Sequence, residues 1–184
     1  MIAIDHPWRS DGQRQVFRRL LAAWAEPGSV ADIAPWCGGA HASLAVLACL
    51  CDAATSFCDA DQLLSPTDRS RLAARPAPAG EAAFILADAA RPPAWVPERG
   101  SLLAPERGAT IVLRCQSLGE GAVVALRGPG IAERAALAVS GLHPAWWTAR
   151  ACWCAYPLGV DFVFCDATRL ACVPRTTTVG GEES

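Results

Sequence analysis

The sequence predicts an α/β domain in which a mixed sheet lies between helical layers. Three observations carry this. Segments such as Phe162-Val163-Phe164-Cys165 and Ile111-Val112-Leu113 are apolar at every position. As strands they need cover on both faces. About four helical and five or six strand-like segments are distributed along the chain, as in a sheet packed against helices. Finally, 184 residues fit one compact core and leave little room for a second. A single domain over 1–184 is expected, with 1–10 and 180–184 as flexible ends.

The elements follow in order. Val16, Phe17, Leu20, Leu21 and Trp24 recur at helical spacing, which predicts a helix over 11–25 with Asp11 as N-cap. Glu26-Pro27-Gly28 stops it, and Pro35, Gly38 and Gly39 mark a loop. Residues 41–51 are apolar all round and read as a buried helix. A short strand is expected at 55–58. A short helix over 67–74 follows, capped by Ser65 with Pro66 in its first turn. Residues 82–86 read as a strand, and the proline-rich stretch 91–108 as loop and turns. Residues 110–113 and 122–126 read as a hairpin around Gly119-Glu120-Gly121. Gly128-Pro129-Gly130 then leads into a helix over 131–139, and Pro144 opens another through Arg150. Residues 160–165 and 170–173 make a second hairpin around Asp166-Ala167.

Composition excludes several chemistries. All 16 basic residues are Arg, because the chain has no Lys. A Walker A phosphate loop, a pyridoxal phosphate Schiff base and a kinase strand lysine are therefore excluded. The net charge of −2 gives no basic balance for nucleic acid. The longest largely apolar run, 42–51, is about half a membrane span, and the first residues have no export-type apolar region. A cytoplasmic chain is expected, with nine reduced cysteines rather than a disulfide framework.

No catalytic constellation emerges. Cys49/Cys51 and Cys152/Cys154 are C-x-C pairs, but no histidine lies at ligand spacing. His6, His41 and His143 lack a nucleophile-and-carboxylate context in the sequence. The turn at Gly128 and Gly130, if it opens a helix, would offer backbone N–H groups to an anion. Trp146, Trp147, Trp153 and Tyr156 cluster within eleven residues, as core packing or as a partner surface. Arg18 and Arg19 flank the polar side of the first helix.

Four stretches together resemble a known family. They are Phe17-Arg18-Arg19-Leu20 with Glu26-Pro27-Gly28; Pro105-Glu106-Arg107-Gly108-Ala109-Thr110; Gly128-Pro129-Gly130-Ile131-Ala132-Glu133; and Tyr156-Pro157-Leu158-Gly159-Val160-Asp161 with Pro174-Arg175-Thr176-Thr177. Their order and spacing resemble the PhnH family, subunits of the bacterial carbon–phosphorus lyase core complex. Tyr156 stands where Phe is commoner in that family.

The resemblance implies a three-layer α/β/α sandwich similar to the large domain of pyridoxal phosphate-dependent transferases, without the cofactor site. It implies no cofactor and no catalysis by this chain alone. It implies a homodimer in isolation and PhnG, PhnI and PhnJ as partners. That assembly attaches a phosphonate to the ribose of ATP, releasing adenine, before carbon–phosphorus cleavage. Interface or ligand candidates are Arg18, Arg19, Gly128, Gly130, Tyr156, Pro157, Leu158, Gly159, Asp161, Pro174 and Arg175. Two alternatives stand beside this: a binder of a phosphonate or nucleotide at 128–132, and a thiol or metal protein using Cys152 and Cys154.

Overall fold

The computed structural model describes residues 7–180, so His6 and the end segments 1–6 and 181–184 lie outside the described residues. The elements run α1 (Ser10–Ala25), β1 (Ala31–Asp32), α2 (Ala34–Cys37), α3 (Ala42–Leu50), β2 (Ser56–Asp59), α4 (Pro66–Arg71), β3 (Arg75–Pro76), β4 (Phe84–Asp88), β5 (Thr110–Arg114), β6 (Ser117–Arg127), β7 (Ala135–Ser140), α5 (Ala145–Trp153), β8 (Asp161–Cys165), β9 (Arg169–Val173) and β10 (Thr178–Gly180). A 3-10 turn covers Pro105–Arg107.

Seven strands form a mixed sheet in the order β1-β9-β8-β5-β4-β2-β3. Strands β8, β5, β4, β2 and β3 are parallel, and β9 runs antiparallel to its neighbours β8 and β1. Strand residues alternate between faces, and this sorts the core into two clusters. Leu86, Val112, Val163, Leu170 and Cys172 face a layer made by α1, α2 and α3, with Leu64 and Leu72 from either side of α4. Ile85, Ile111, Phe162, Phe164 and Val173 face the other way. The register stacks like with like, Ile111 beside both Ile85 and Phe162. Both faces of the apolar strands are covered, as their sequence requires.

The second cover is not the helical layer expected. It combines α5, through Trp146 and Trp153, with a three-stranded antiparallel sheet ordered β10-β6-β7 that supplies Leu118, Leu126, Leu137 and Val139. Two expectations are corrected here. Residues 131–139 are not a helix: a turn leads into β7, where Leu137 and Val139 are buried at a period of two. The 110–113 and 122–126 strands do not form a hairpin. β5 lies inside the large sheet, whereas 117–127 is one continuous strand of the small one. Gly119-Glu120-Gly121 is a bulge in that strand, where the register shifts between Leu118 and Ala122. The carboxylate of Asp166 joins the sheets by accepting from the backbone N–H of Leu118 (3.0 Å) and from Arg169.

Local readings fared better where the signal was local. α3 is buried at every position from Ala42 to Ala48, and Ser65 caps α4 by accepting from the Asp68 N–H at 3.0 Å. α1 buries Val16, Leu20 and Ala23, but Phe17 and Leu21 of the expected apolar face are exposed. Its N-cap is Arg9 rather than Asp11, and Asp11 pairs with Arg9 in the first turn. Among the described residues no helix is long and apolar enough to cross a membrane.

Candidate functional site

Arg175 gathers three distant segments at one corner. Its Nε and Nη2 donate to the Asp161 carboxylate, Nη2 at 2.6 Å, and its own backbone N–H donates to Asp161 Oδ1 at 2.7 Å. Nη1 donates to the carbonyl of Pro105 (2.6 Å) and Nη2 to that of Gly108 (3.0 Å). Both side chains are about 15% exposed, at 16% for Arg175 and 15% for Asp161. The fork geometry of guanidinium suits this task, and lysine could not replace it. Gly108 sits so close that a Cβ there would collide with the Gly159 carbonyl and the Arg175 guanidinium. The segments 105–110, 156–161 and 174–177 are thus one hydrogen-bonded body.

The turn at Gly128 and Gly130 belongs to the same side of the molecule but opens no helix. A Cβ on Gly128 would stand 2.9 Å from the Thr176 carbonyl. Gly130 has φ +81°, and a Cβ there would strike the carbonyl of Ala25 beside Pro27. The turn is packed against the ends of α1 and the 174–177 segment. The expected helix at 131–139 is absent, so no helix N-terminus stands behind the 128–132 turn, and these glycines serve close packing.

A cleft of about 580 Å³ opens beside this body, between α5 and the 174–179 segment. Trp147, Arg150, Cys154, Tyr156, Arg175 and Thr177 are among its lining residues. Arg150, read from sequence only as a helix end, is 4% exposed. Its Nη2 donates to the carbonyls of Pro174 (2.5 Å) and Thr177 (3.0 Å), and its guanidinium carbon lies 5.8 Å from the Phe162 ring centre. Burial lowers its pKa from the ordinary arginine value, with Cys154 and Asp161 opposing the shift. Arg150 Nε and Thr177 Oγ1 are buried with no hydrogen-bond partner.

Two short tips project from the corner. Ala155 and Leu158 bond reciprocally through their backbones, with Tyr156 and the cis Pro157 between them. Ser101 and Ala104 do the same around Leu102 and Leu103. The Gly159 N–H donates to the Arg99 carbonyl at 3.0 Å, which ties one tip to the other. Leu102 is 77% exposed, Leu103 98% and Tyr156 84%. Trp95, Trp146 and Trp153 pack on one another, and half-buried Trp147, which lines the cleft, packs on Phe162 and Phe164. Arg18 and Arg19 are exposed on α1, far in sequence from the corner, with Arg19 5.9 Å from the Trp36 ring.

A polar network at the carboxyl ends of the parallel strands escaped the sequence reading. Open α/β sheets usually bind ligands there. Here Arg114 Nε donates to Ser43 Oγ at 2.7 Å, and Ser43 hydrogen-bonds His41 Nδ1 at 3.0 Å. Nδ1 also accepts the Ser43 backbone N–H, capping α3. Burial, then the Arg114 charge, push the His41 pKa down to about 4, with Asp166 opposing. Asp59 accepts from Leu63, Leu64 and Arg69. The network meets its needs internally. Burial pushes the Cys49 and Cys51 thiols up to about 12, away from reactive thiolates. Cys152 is exposed on α5, and Cys154 Sγ faces the Val160 carbonyl. Among the described residues no three His, Cys, Asp or Glu side chains gather as a metal site.

The profile of a family described as bacterial phosphonate metabolism protein (PhnH) matches residues 5–180. The chain belongs to the PhnH family. Across 173 residues it is 41% identical to the putative C-P lyase subunit protein HtxG of Stutzerimonas stutzeri, covering 94% of this chain and 88% of that one. Of the stretches that carry the PhnH resemblance, 105–110, 156–161 and 174–177 meet in the corner, the 128–130 turn packs on Thr176, and Ala25 and Pro27 pack on that turn.

Proposed function

We propose that this PhnH-family chain is a non-catalytic subunit of a carbon–phosphorus lyase assembly that serves organophosphonate catabolism. The observation that carries this reading is the division of labour at the corner. Arg175, Asp161, Gly108 and Gly159 turn their polar groups inward on one another, while Leu102, Leu103 and Tyr156 point out. Exposed apolar side chains held on a rigid base suit docking, and a stable interface needs about 800 Å² per partner. The family membership and the similarity to a putative C-P lyase subunit support the same assembly.

In finer terms, the partners are the subunits of the PhnG, PhnI and PhnJ families, and the isolated chain is a homodimer in the cytoplasm. The assembly joins a phosphonate to the ribose of ATP with release of adenine, ahead of carbon–phosphorus cleavage by another subunit. Co-expression with the partner subunits tests the docking surface. Leu103→Asp together with Leu102→Asp is expected to reduce co-purification at least tenfold while the unfolding midpoint stays unchanged. Undiminished assembly by this folded variant would remove the tips from the interface.

A further inference from the structure

We propose that the pocket at the amino-terminal ends of β2, β3, β4 and β5 binds a small zwitterion, a short-chain molecule carrying one ammonium and one oxyanion. The site is separate from the outward tips and does not rest on the docking role.

The pocket holds about 480 Å³ and is lined by Ser56, Arg75, Glu81, Ala83, Glu98 and Arg107. Three separate segments meet in it. Arg75 comes from β3, beside Ser56 of β2. Glu81 comes from the turn before β4. Glu98 and Arg107 come from two copies of Pro-Glu-Arg-Gly, at 97–100 and 105–108. The Ala109 N–H donates to the Glu98 carbonyl at 2.8 Å and holds the copies together. The copies are identical in sequence, yet the first contributes its acid to the pocket and the second its base.

The floor is fixed by hydrogen bonds. Ser56 is buried, and its hydroxyl accepts from the Ala83 N–H at 2.9 Å and donates to the Glu81 carbonyl at 3.2 Å. Glu98 is half-buried, and its Oε1 accepts the Gly100 N–H at 2.9 Å. The charged groups above this floor are uncommitted. Among the described residues none of the four charged side chains forms an ion pair. The guanidiniums of Arg75 and Arg107 and the carboxylate of Glu81 make no hydrogen bond there either. All three side chains are exposed, so a solute reaches them.

The class of occupant follows from the charge balance. Two guanidiniums and two carboxylates leave the pocket with no net charge. A simple anion drawn by the arginines is repelled by the glutamates, and a simple cation meets the reverse. A molecule bearing both charges satisfies both sets. Its oxyanion accepts charge-assisted hydrogen bonds from guanidinium, and its ammonium donates to carboxylate oxygens. No aromatic or large aliphatic side chain lines the pocket, so it offers no stacking surface to a nucleobase. The volume falls in the range of small-molecule sites.

Titration calorimetry on the isolated full chain at low salt tests the site. The probes are β-alanine and 2-aminoethylphosphonate, with propionate, ethylphosphonate and ethylamine as singly charged-group counterparts. Saturable binding of at least one zwitterion is expected at about 1 mM or tighter, with each counterpart weaker by about tenfold or more. Preference for β-alanine would assign a carboxylate to the anionic end, preference for 2-aminoethylphosphonate a phosphonate, and equal binding a site that reads charge alone. Arg107→Gln is expected to weaken zwitterion binding about tenfold. Glu81→Gln is expected to weaken it similarly and to strengthen propionate, because a repelling carboxylate is gone. A merely structural role for Glu81 would not exchange one preference for the other. Both side chains are exposed and free of hydrogen bonds among the described residues, so the unfolding midpoint should stay within about 2 °C. No saturable binding up to about 20 mM, counterparts that bind as tightly as the zwitterions, or binding unchanged in both variants would overturn the proposal. Co-purification with lyase subunits reads the docking role separately, so either result can fail without the other.

Discussion

Arg175→Ala should be among the most damaging single substitutions in this protein. It removes three side-chain contacts to Asp161 and two to the carbonyls of Pro105 and Gly108. Breaking a buried ion pair from one side costs about 3–5 kcal/mol, because the remaining charge stays buried and alone. Here the pair keeps about 15% exposure on each side, with 16% and 15% for its members. In addition, the backbone N–H of residue 175 still serves Asp161. The expected loss is therefore near the lower end, about 3 kcal/mol. For a chain of this size that corresponds to a fall of roughly 9 °C in Tm. Urea unfolding followed by tryptophan fluorescence would measure it. Asp161→Ala and the double variant complete the cycle, with an expected coupling of about 2 kcal/mol. Arg175→Lys should recover only part of the loss, since an ammonium cannot span a carboxylate and two carbonyls. A loss below about 0.5 kcal/mol, or strict additivity in the cycle, would refute the idea that this pair holds the corner together.

Gly130→Ala should destabilise by about 3 kcal/mol or more, from its positive φ and the collision with the Ala25 carbonyl. Gly119→Ala, also at positive φ but with nothing within 4 Å of the added methyl, should cost only about 1 kcal/mol, and chemical denaturation of the pair separates strain from collision. His41 should make stability fall with acid. Its folded pKa of about 4 lies below the ordinary 6.5, so the unfolded chain takes up the proton first. The contribution is whole above pH 6.5 and declines as pH falls toward 4. Allowing for partial exposure, the loss is roughly 2 kcal/mol. His41→Asn, which can still cap α3, should flatten stability over that window in urea titrations, and an unchanged slope would contradict the assignment.

The parts of the fold legible in the sequence were those written locally. Ser65-Pro66 announced a capped helix, and the hairpin from Phe162 to Val173 carried its own apolar strands and turn. Residues 131–139 misled because alanine favours helix, while the pairing of Leu137 and Val139 with β6 imposes a strand. Gly119-Glu120-Gly121 looked like a hairpin turn because a bulge uses the same residues. At the site, the motif positions could be read but not their meeting. Arg175 joins partners 14 and up to 70 residues away. Arg150 stood unmarked in the helix opened by Pro144, and only its burial singles it out.

The central claim is membership of a lyase assembly, and affinity purification of the tagged chain from its own host tests it most directly. The host would be grown on a phosphonate as sole phosphorus source, and the retained proteins identified by mass. The account predicts stoichiometric recovery of the other carbon–phosphorus lyase subunits. Recovery of this chain alone, as monomer or dimer, would contradict it.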